Sequence, residues 1–488
     1  MHNKWYTSVK QIGNNIYVRG YDNGEHYKDK IEYYPTFFVR SRNKTEYKTL
    51  HGEYVAPVNP GTIKECRNWL EQYNQVEGFD IYGNENSIYQ YISDAFSDEI
   101  EFDINKIKLV TIDIETTADN GFPDVTECNE SILLITIQEY STKNIITWGA
   151  KPYNNRQSNV NYISCVDEVD LLNKFISWWE DYLPDILTGW NIQYFDVPYL
   201  VGRINKILGI SYSKKLSPWS VISQKESLVN NRQQIHYDIA GVSQLDYLEL
   251  YKKFTYSAQE SYRLEYIAEV ELGQTKLDHT EFDTFKDFYT KDWDKFVKYN
   301  VIDVELVDRL EGKMKLIELA ITMAYDAKVN YADVFFQVRM WDSIIYNYLK
   351  HKNVVIPLKV RSEKSASYAG AYVKEPIPGS YDWVLSLDLT SLYPSLIMQY
   401  NISPETLLDR KYPNVNVNTL LNMEVTIQDD DQKCVSANGC MYDKSKRGIF
   451  PELVEKIFID RQIYKKKMLD EQRNLEEIEN EMRVRGIL

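Results

Sequence analysis

The stretch Lys106-Ile-Lys-Leu-Val-Thr-Ile-Asp-Ile-Glu-Thr-Thr117 constrains this chain more than any other. Leu109 to Ile114 is apolar and dense in β-branched residues, which predicts a buried strand. Asp113 and Glu115 interrupt it. Side chains two apart on a strand share a face, so the two carboxylates lie side by side at the strand's end. Such a pair repels and costs stability unless a cation or a shared proton offsets it. A divalent metal with oxygen ligands, such as Mg²⁺, meets that need. A solvated strand end with both acids in water meets it as well.

The length of 488 residues suggests roughly three domains. The net charge of −16 excludes a basic protein that coats nucleic acid along its whole surface. It does not exclude a nucleic-acid enzyme, which needs acids for metals and only local basic strips for phosphates. Cys66, Cys128, Cys165, Cys434 and Cys440 are odd in number and scattered, which predicts a reducing compartment. Cys434 and Cys440 stand too far from other Cys or His to suggest zinc. The start, Met-His-Asn-Lys-Trp-Tyr, lacks an apolar leader, and no apolar run approaches the roughly 20 residues that span a membrane. The expected location is the cytoplasm, with no membrane partner.

Residues 1–105 read as a mixed domain of short β-type runs, such as Lys30–Val39, broken by Gly and Asn turns. Ile132–Glu139 and Asn144–Trp148 predict further strands, and Leu171–Tyr182 a helix. Ile186-Leu-Thr-Gly189 predicts a strand running into a turn. Asp196, ahead of Pro198, suits the start of the next helix, where an Asp also has a purely structural use as a cap. Residues 222–242 read as a polar hairpin with Asn230-Asn231 at its tip. Leu245–Phe254 and Tyr262–Val270 are helical in period. Trp293–Val307 carries a strong apolar helical stripe that puts Tyr299 and Asp303 on one face.

Taken together, Asp113-x-Glu115, Asp196 and Tyr299-x-x-x-Asp303 resemble the three motifs of the DEDDy-type 3′→5′ exonucleases. The resemblance implies a mixed, RNase H-like sheet flanked by helices. It implies two Mg²⁺ ions, with Mn²⁺ as an alternative, held by Asp113, Glu115, Asp196 and Asp303. Tyr299 would orient the attacking water.

A second acidic site follows. Trp383-Val-Leu-Ser-Leu-Asp-Leu-Thr-Ser-Leu-Tyr-Pro-Ser395 predicts an apolar strand delivering Asp388 into a helix opened by Pro394. Backbone N–H groups at such a turn favour phosphate. The stretch resembles palm motif A of the family B DNA polymerases, and the whole chain resembles the N-terminal part of the replicative polymerases of T-even-like bacteriophages. By that resemblance Asp388 and the carbonyl of Leu389 hold two catalytic metals. Ser391 and Leu392 offer donors to a deoxynucleoside triphosphate, and Tyr393 lies under its sugar. Tyr368–Pro376 is similar to a template-contacting loop. Gly448–Met468 resembles the first fingers helix, with Arg461 and Lys465 as triphosphate-binding cations.

The family's fingers motif Lys-x-x-x-Asn-Ser-x-Tyr-Gly and palm hairpin Tyr-Gly-Asp-Thr-Asp-Ser do not occur after Ile397, and Asn86-Ser-Ile-Tyr89 lacks the flanking Lys and Gly. The expected fold is a multidomain α/β and α+β chain. Residues 1–105 form an N-terminal domain, 106–315 the exonuclease, and 316–359 a return to the N-terminal domain. Residues 360–447 form a partial palm and 448–488 the start of helical fingers. The expected function is the N-terminal part of a DNA-directed DNA polymerase of a virus replicating in a bacterial host. Its proofreading exonuclease is complete, and it acts on primer–template DNA, single-stranded 3′ ends and dNTPs. The remaining palm, fingers and thumb are expected on a separate C-terminal subunit, a truncated polypeptide being the other explanation. A stand-alone single-strand exonuclease and a nucleic-acid-binding accessory protein remain as alternatives.

Overall fold

The computed structural model describes residues 4–154, 159–229, 232–275, 277–278, 280–359, 374–428 and 430–486. The hairpin tip Asn230-Asn231 and most of the Tyr368–Pro376 loop lie outside these residues. The architecture is mixed α/β and divides into two compact units, 1–47 with 54–358, and 48–53 with 359–488.

The first unit is built around a six-stranded sheet. Its order is Val160–Ser164, Ile145–Gly149, Ile132–Glu139, Leu109–Thr116, Ile186–Gly189, Ser243–Asp246. Leu109–Thr116 is central, antiparallel to Ile132–Glu139 and parallel to Ile186–Gly189. It is central because it is apolar on both faces: Leu109, Val110, Ile112 and Ile114 are all buried, and only Asp113 and Glu115 reach partial exposure. Helices cover the sheet. Glu168–Tyr182 contributes Phe175 and Trp179 to a core with Val110, Ile112, Ile137 and Trp148. Each such large apolar side chain contributes about 1.5–3 kcal/mol on burial. The helix Trp293–Met314 starts at Asp292, whose side chain accepts from the Lys295 N–H at 3.0 Å. Its stripe of Phe296, Val297, Val301, Val304 and Leu310 is fully buried.

The N-terminal strands Lys4–Ile12, Asn15–Asp22 and Glu25–Glu32 form an antiparallel sheet joined to the bottom of the six-stranded one. The junction is a buried polar knot at Asp185. Arg19 approaches its Oδ1 at 3.0 Å. Thr7 donates to Oδ1 at 2.9 Å, while Tyr21 and the Lys108 N–H donate to Oδ2 at 2.7 and 3.1 Å. Arg19 also donates to the carbonyls of Pro184 and Gly241. Burial alone would push the Asp185 carboxyl up, but the His26 hydrogen bond and the Arg19 charge bring it down to about 2. The Asn86-Ser-Ile-Tyr89 segment starts a helix, Ser87–Ala95, capped by the Asn86 side chain.

One expectation changes here. Leu245 and Asp246, expected in a helix, close the strand Ser243–Asp246; the helix begins at Tyr247. The period of the helix extends backwards by chance into a β-strand that pairs with Ile186–Gly189. The hairpin is as expected, Ile222–Val229 against Arg232–Ile239.

In the second unit, Leu407–Lys411, Cys440–Asp443 and Lys433–Val435 form an antiparallel sheet. The short helix Leu392–Gln399 packs on the long helix Ile449–Val484. Buried Asn401 pins them: its amide donates to the carbonyls of Asp443 and Lys446 at 2.6 and 2.7 Å and its oxygen accepts from the Gly448 N–H at 2.8 Å. The expected strand Trp383–Leu387 is irregular and exposed instead. Strands form by pairing, and among the described residues none pairs with this segment. No helix among the described residues is long and apolar enough to cross a membrane.

Candidate active site

A cleft of about 560 Å³ opens at the C-terminal ends of the parallel strands, the usual position for ligands in such sheets. Three elements bring acids to it. Leu109–Thr116 delivers Asp113 and Glu115, and its ladder with Ile132–Glu139 slips between Glu115 and Thr116. A bulge there re-aims the strand's last side chains. The helix Asp196–Ile207 delivers its first residue. The helix Trp293–Met314 delivers Tyr299 and Asp303. One carboxylate oxygen each of Asp113, Glu115 and Asp303 lies within 4.8 Å of the others. These three acids could hold a metal ion between them, which would offset their mutual repulsion.

Asp196 faces the same cleft but is buried, and its Oδ1 accepts from the Ile114 N–H at 3.1 Å. Burial pushes its carboxyl up to about 7 against that hydrogen bond, and the charges of Asp246 and Asp303 add to the rise. Gly189 makes the approach of strand and loop workable. A Cβ there would stand 2.4 Å from the Ile112 carbonyl oxygen, so no larger residue fits beside the central strand.

Three supporting residues escaped the sequence reading. Asn300, one residue after Tyr299, donates from Nδ2 to Asp113 Oδ2 at 2.5 Å. Glu130 is buried and gathers the loop after the Asp-x-Glu strand, accepting from Thr117, from the Asp119 N–H and from Asn120. Asp246, 1% exposed, accepts from the N–H groups of Asn191, Gln193 and Leu248. Burial pushes its carboxyl up to about 6, with those N–H groups opposing. None of the three left a local trace: Asp246 lies inside the helical period of Leu245–Phe254, and the others act across the fold. Two aromatic rings line the mouth, Phe122, 88% exposed, against Phe195 with centroids 5.6 Å apart.

The residues expected to bind nucleotide lie in the second unit. Asp388 and Leu389 sit in exposed, irregular backbone. Ser391 has φ +52°, a left-handed conformation uncommon for serine, immediately before the helix Leu392–Gln399. Leu392 is that helix's first residue and Tyr393 is exposed. Arg461 and Lys465 are one turn apart on the long helix, and an Arg461 Nη1 stands 3.5 Å from Ser391 Oγ. The structure thus brings Arg461 to the turn that follows Asp388.

Comparison with known proteins finds two matched regions, the second of which begins inside the first unit. The model of "DNA polymerase family B, exonuclease domain" matches residues 82–267, and that of "DNA polymerase family B" matches 337–483. Tyr299 and Asp303 fall between the two matched ranges. The chain is 33% identical to the DNA-directed DNA polymerase of Escherichia phage RB69 over 96% of its own length and 55% of that protein. It is 34% identical to that of Enterobacteria phage T4, over 97% and 55%. The DNA polymerase catalytic subunit of human herpesvirus 8 is more distant, 26% identical over 62% of the chain. The chain therefore spans about half the length of the phage polymerases it resembles, and on both matched regions it belongs to DNA polymerase family B.

Proposed function

We propose that the first unit is a 3′→5′ exonuclease acting on single-stranded DNA ends, of the DEDDy type with an RNase H-like sheet spanning 106–315. The observation that carries this is the gathering of Asp113, Glu115 and Asp303 within 4.8 Å, with Asp196 in the same cleft. The donor set is all carboxylate oxygen, which fits Mg²⁺ or Mn²⁺ and not a softer metal. Bound by these four acids, two such ions supply charge neutralisation at the scissile phosphate and a water of lowered pKa. The chain's own residues do the rest. Asn300 fixes the Asp113 carboxylate, and the Tyr299 hydroxyl orients the attacking water. Phe122 and Phe195 offer faces on which the unstacked terminal bases lie.

In the same reading the chain is the N-terminal part of a replicative DNA polymerase, working on viral DNA in the cytoplasm of an infected bacterium. Residues 1–105 and 316–359 form the N-terminal domain, 360–447 part of the palm and 448–488 the first fingers helix. Asp388 and the Leu389 carbonyl hold the metals of the polymerase site. The N–H groups of Ser391 and Leu392, with Arg461 and Lys465, take the triphosphate of a dNTP. Tyr393 lies under its sugar and disfavours a 2′-hydroxyl. The nearness of Arg461 to Ser391 supports that grouping. Completion of that site by further palm, fingers and thumb residues is part of the reading. Its support is the row Trp383, Val384, Leu385, Leu387 and Leu389, apolar and exposed, which needs a partner to pair with and cover it.

A 5′-labelled single strand incubated with the chain and Mg²⁺ is expected to shorten stepwise from its 3′ end and to stop shortening on chelation. Internal cuts, or digestion that ignores chelation, would refute the assignment. Primer extension is expected only when a C-terminal fragment of a relative is added and co-elutes with the chain. Extension by the chain alone, lost in Asp388→Ala, would remove the need for a partner.

A further inference from the structure

We propose that Asp246 is a positioning residue of the exonuclease, setting the place of Asp196 through the loop Trp190–Phe195; this rests on the nuclease reading above. Asp246 ends the strand Ser243–Asp246, in parallel register with Gly189 at the end of its neighbour. The loop from Gly189 to Asp196 therefore begins beside it. Its two oxygens divide the work. Oδ1 accepts from the Asn191 N–H at 3.1 Å and the Leu248 N–H at 3.0 Å, and Oδ2 from the Gln193 N–H at 2.9 Å.

The loop has reason to need holding. Asn191 sits at φ +67°, a conformation an L-residue adopts at some cost. The Tyr194 and Phe195 N–H groups turn back onto its carbonyl at 3.2 Å, and the Val197 N–H onto that of Ile192 at 2.9 Å. One buried carboxylate thus fixes the first half of a knot whose other end is Asp196. Trp190, Asn191, Tyr194 and Phe195, all in this loop, also line the cleft. Removing the Asp246 carboxylate frees the loop while leaving every acid of the cleft in the chain.

Asp246 also caps the helix Tyr247–Phe254, a purely structural use. Asp246→Ser separates the two, because serine caps well but is too short to reach the Asn191 and Gln193 N–H groups. Asp246→Asn keeps the shape and loses one acceptor. Both variants, in the full chain, are expected to lower kcat for 3′ digestion of single-stranded DNA by about 10–100-fold, a larger change than that in KM. Mn²⁺ affinity, read by electron paramagnetic resonance of the free ion, is expected to weaken by about 10–100-fold in both. Folded variants with the parent's kcat and Mn²⁺ affinity would overturn the proposal. If the parent chain itself digests no DNA, the nuclease reading fails, and the Mn²⁺ titration alone decides. Weakened binding in the two variants upholds the positioning role, and unchanged binding ends it.

Discussion

Asp185 and Asp196 flank the same four-residue strand, Ile186–Gly189, and both are buried, yet they are opposite in character. At the lower end, Asp185 meets Arg19, Tyr21, Thr7, His26 and the Lys108 N–H, and its carboxyl falls to about 2. At the upper end, Asp196 has the backbone N–H groups of Ile114 and of its own residue set against burial and the charges of Asp246 and Asp303, and its carboxyl rises to about 7. Burial is common to both, so burial does not mark function. The difference is whether the protein supplies the counter-charge or leaves it to come from outside. A charge matched internally holds two sheets together; an unmatched one favours a proton or a cation from outside.

The contrast breaks first if the upper end is not catalytic. Asp113→Ala combined with Glu115→Ala is expected to slow 3′ digestion by at least about 10⁴-fold, since loss of metal ligands removes several kcal/mol of transition-state stabilisation. Its denaturant midpoint should change little, because the relief of two repelling acids offsets the loss of the Asn300 hydrogen bond to Asp113. At the lower end, Arg19→Met leaves Asp185 buried without its counter-charge. Urea unfolding is expected to show a loss of about 3–5 kcal/mol, with kcat of the surviving folded protein unchanged.

Within the cleft, Tyr299→Phe is expected to slow digestion by about 10²-fold, and less than Asp303→Ala, because a hydroxyl that positions water contributes less than a metal ligand. Equal effects in single-turnover assays would erase that distinction.

The most graded effect is in pH. The ordinary value for an Asp is 3.8, and Asp196 and Asp246 are raised to about 7 and about 6. Between those limits the folded protein binds more protons than the unfolded one, so their contribution is present below 3.8 and lost as pH rises through 6–7. Asp185 is depressed, so its contribution is present above 3.8 and lost as pH falls through about 2. In EDTA, stability should therefore decline from pH 5 to pH 7 by about 1.4 kcal/mol per unit for each titrating proton. Asp196→Asn should flatten that decline, and Mg²⁺ should oppose it.

What was readable in the sequence follows the same physics. Leu109–Thr116 is legible because β-branched residues on both faces admit few alternatives, and the two-residue spacing puts Asp113 beside Glu115. The apolar stripe of Trp293–Met314 is equally plain. Asp246 was hidden because Leu245–Phe254 keeps a helical period across a strand end, and only pairing with Gly189 reveals the boundary. The Arg19–Asp185 junction joins residues far apart in the chain, which no local pattern encodes. Trp383–Leu389 looks like a strand because its residues suit one, but suitability does not supply a neighbour.

The helix Trp293–Met314 also imposes an order of events on synthesis. Asn300 and Asp113, which touch in the finished site, are 187 residues apart. At about 5–20 residues per second, roughly 10–40 s separate their emergence from a ribosome. The sheet can pair its strands in that interval, but the acid cluster stays open and solvated until the helix docks by burying Phe296, Val297 and Val301. Contacts this remote are slow to close. The acid cluster of a nascent chain is thus completed only after the frame that holds it has folded.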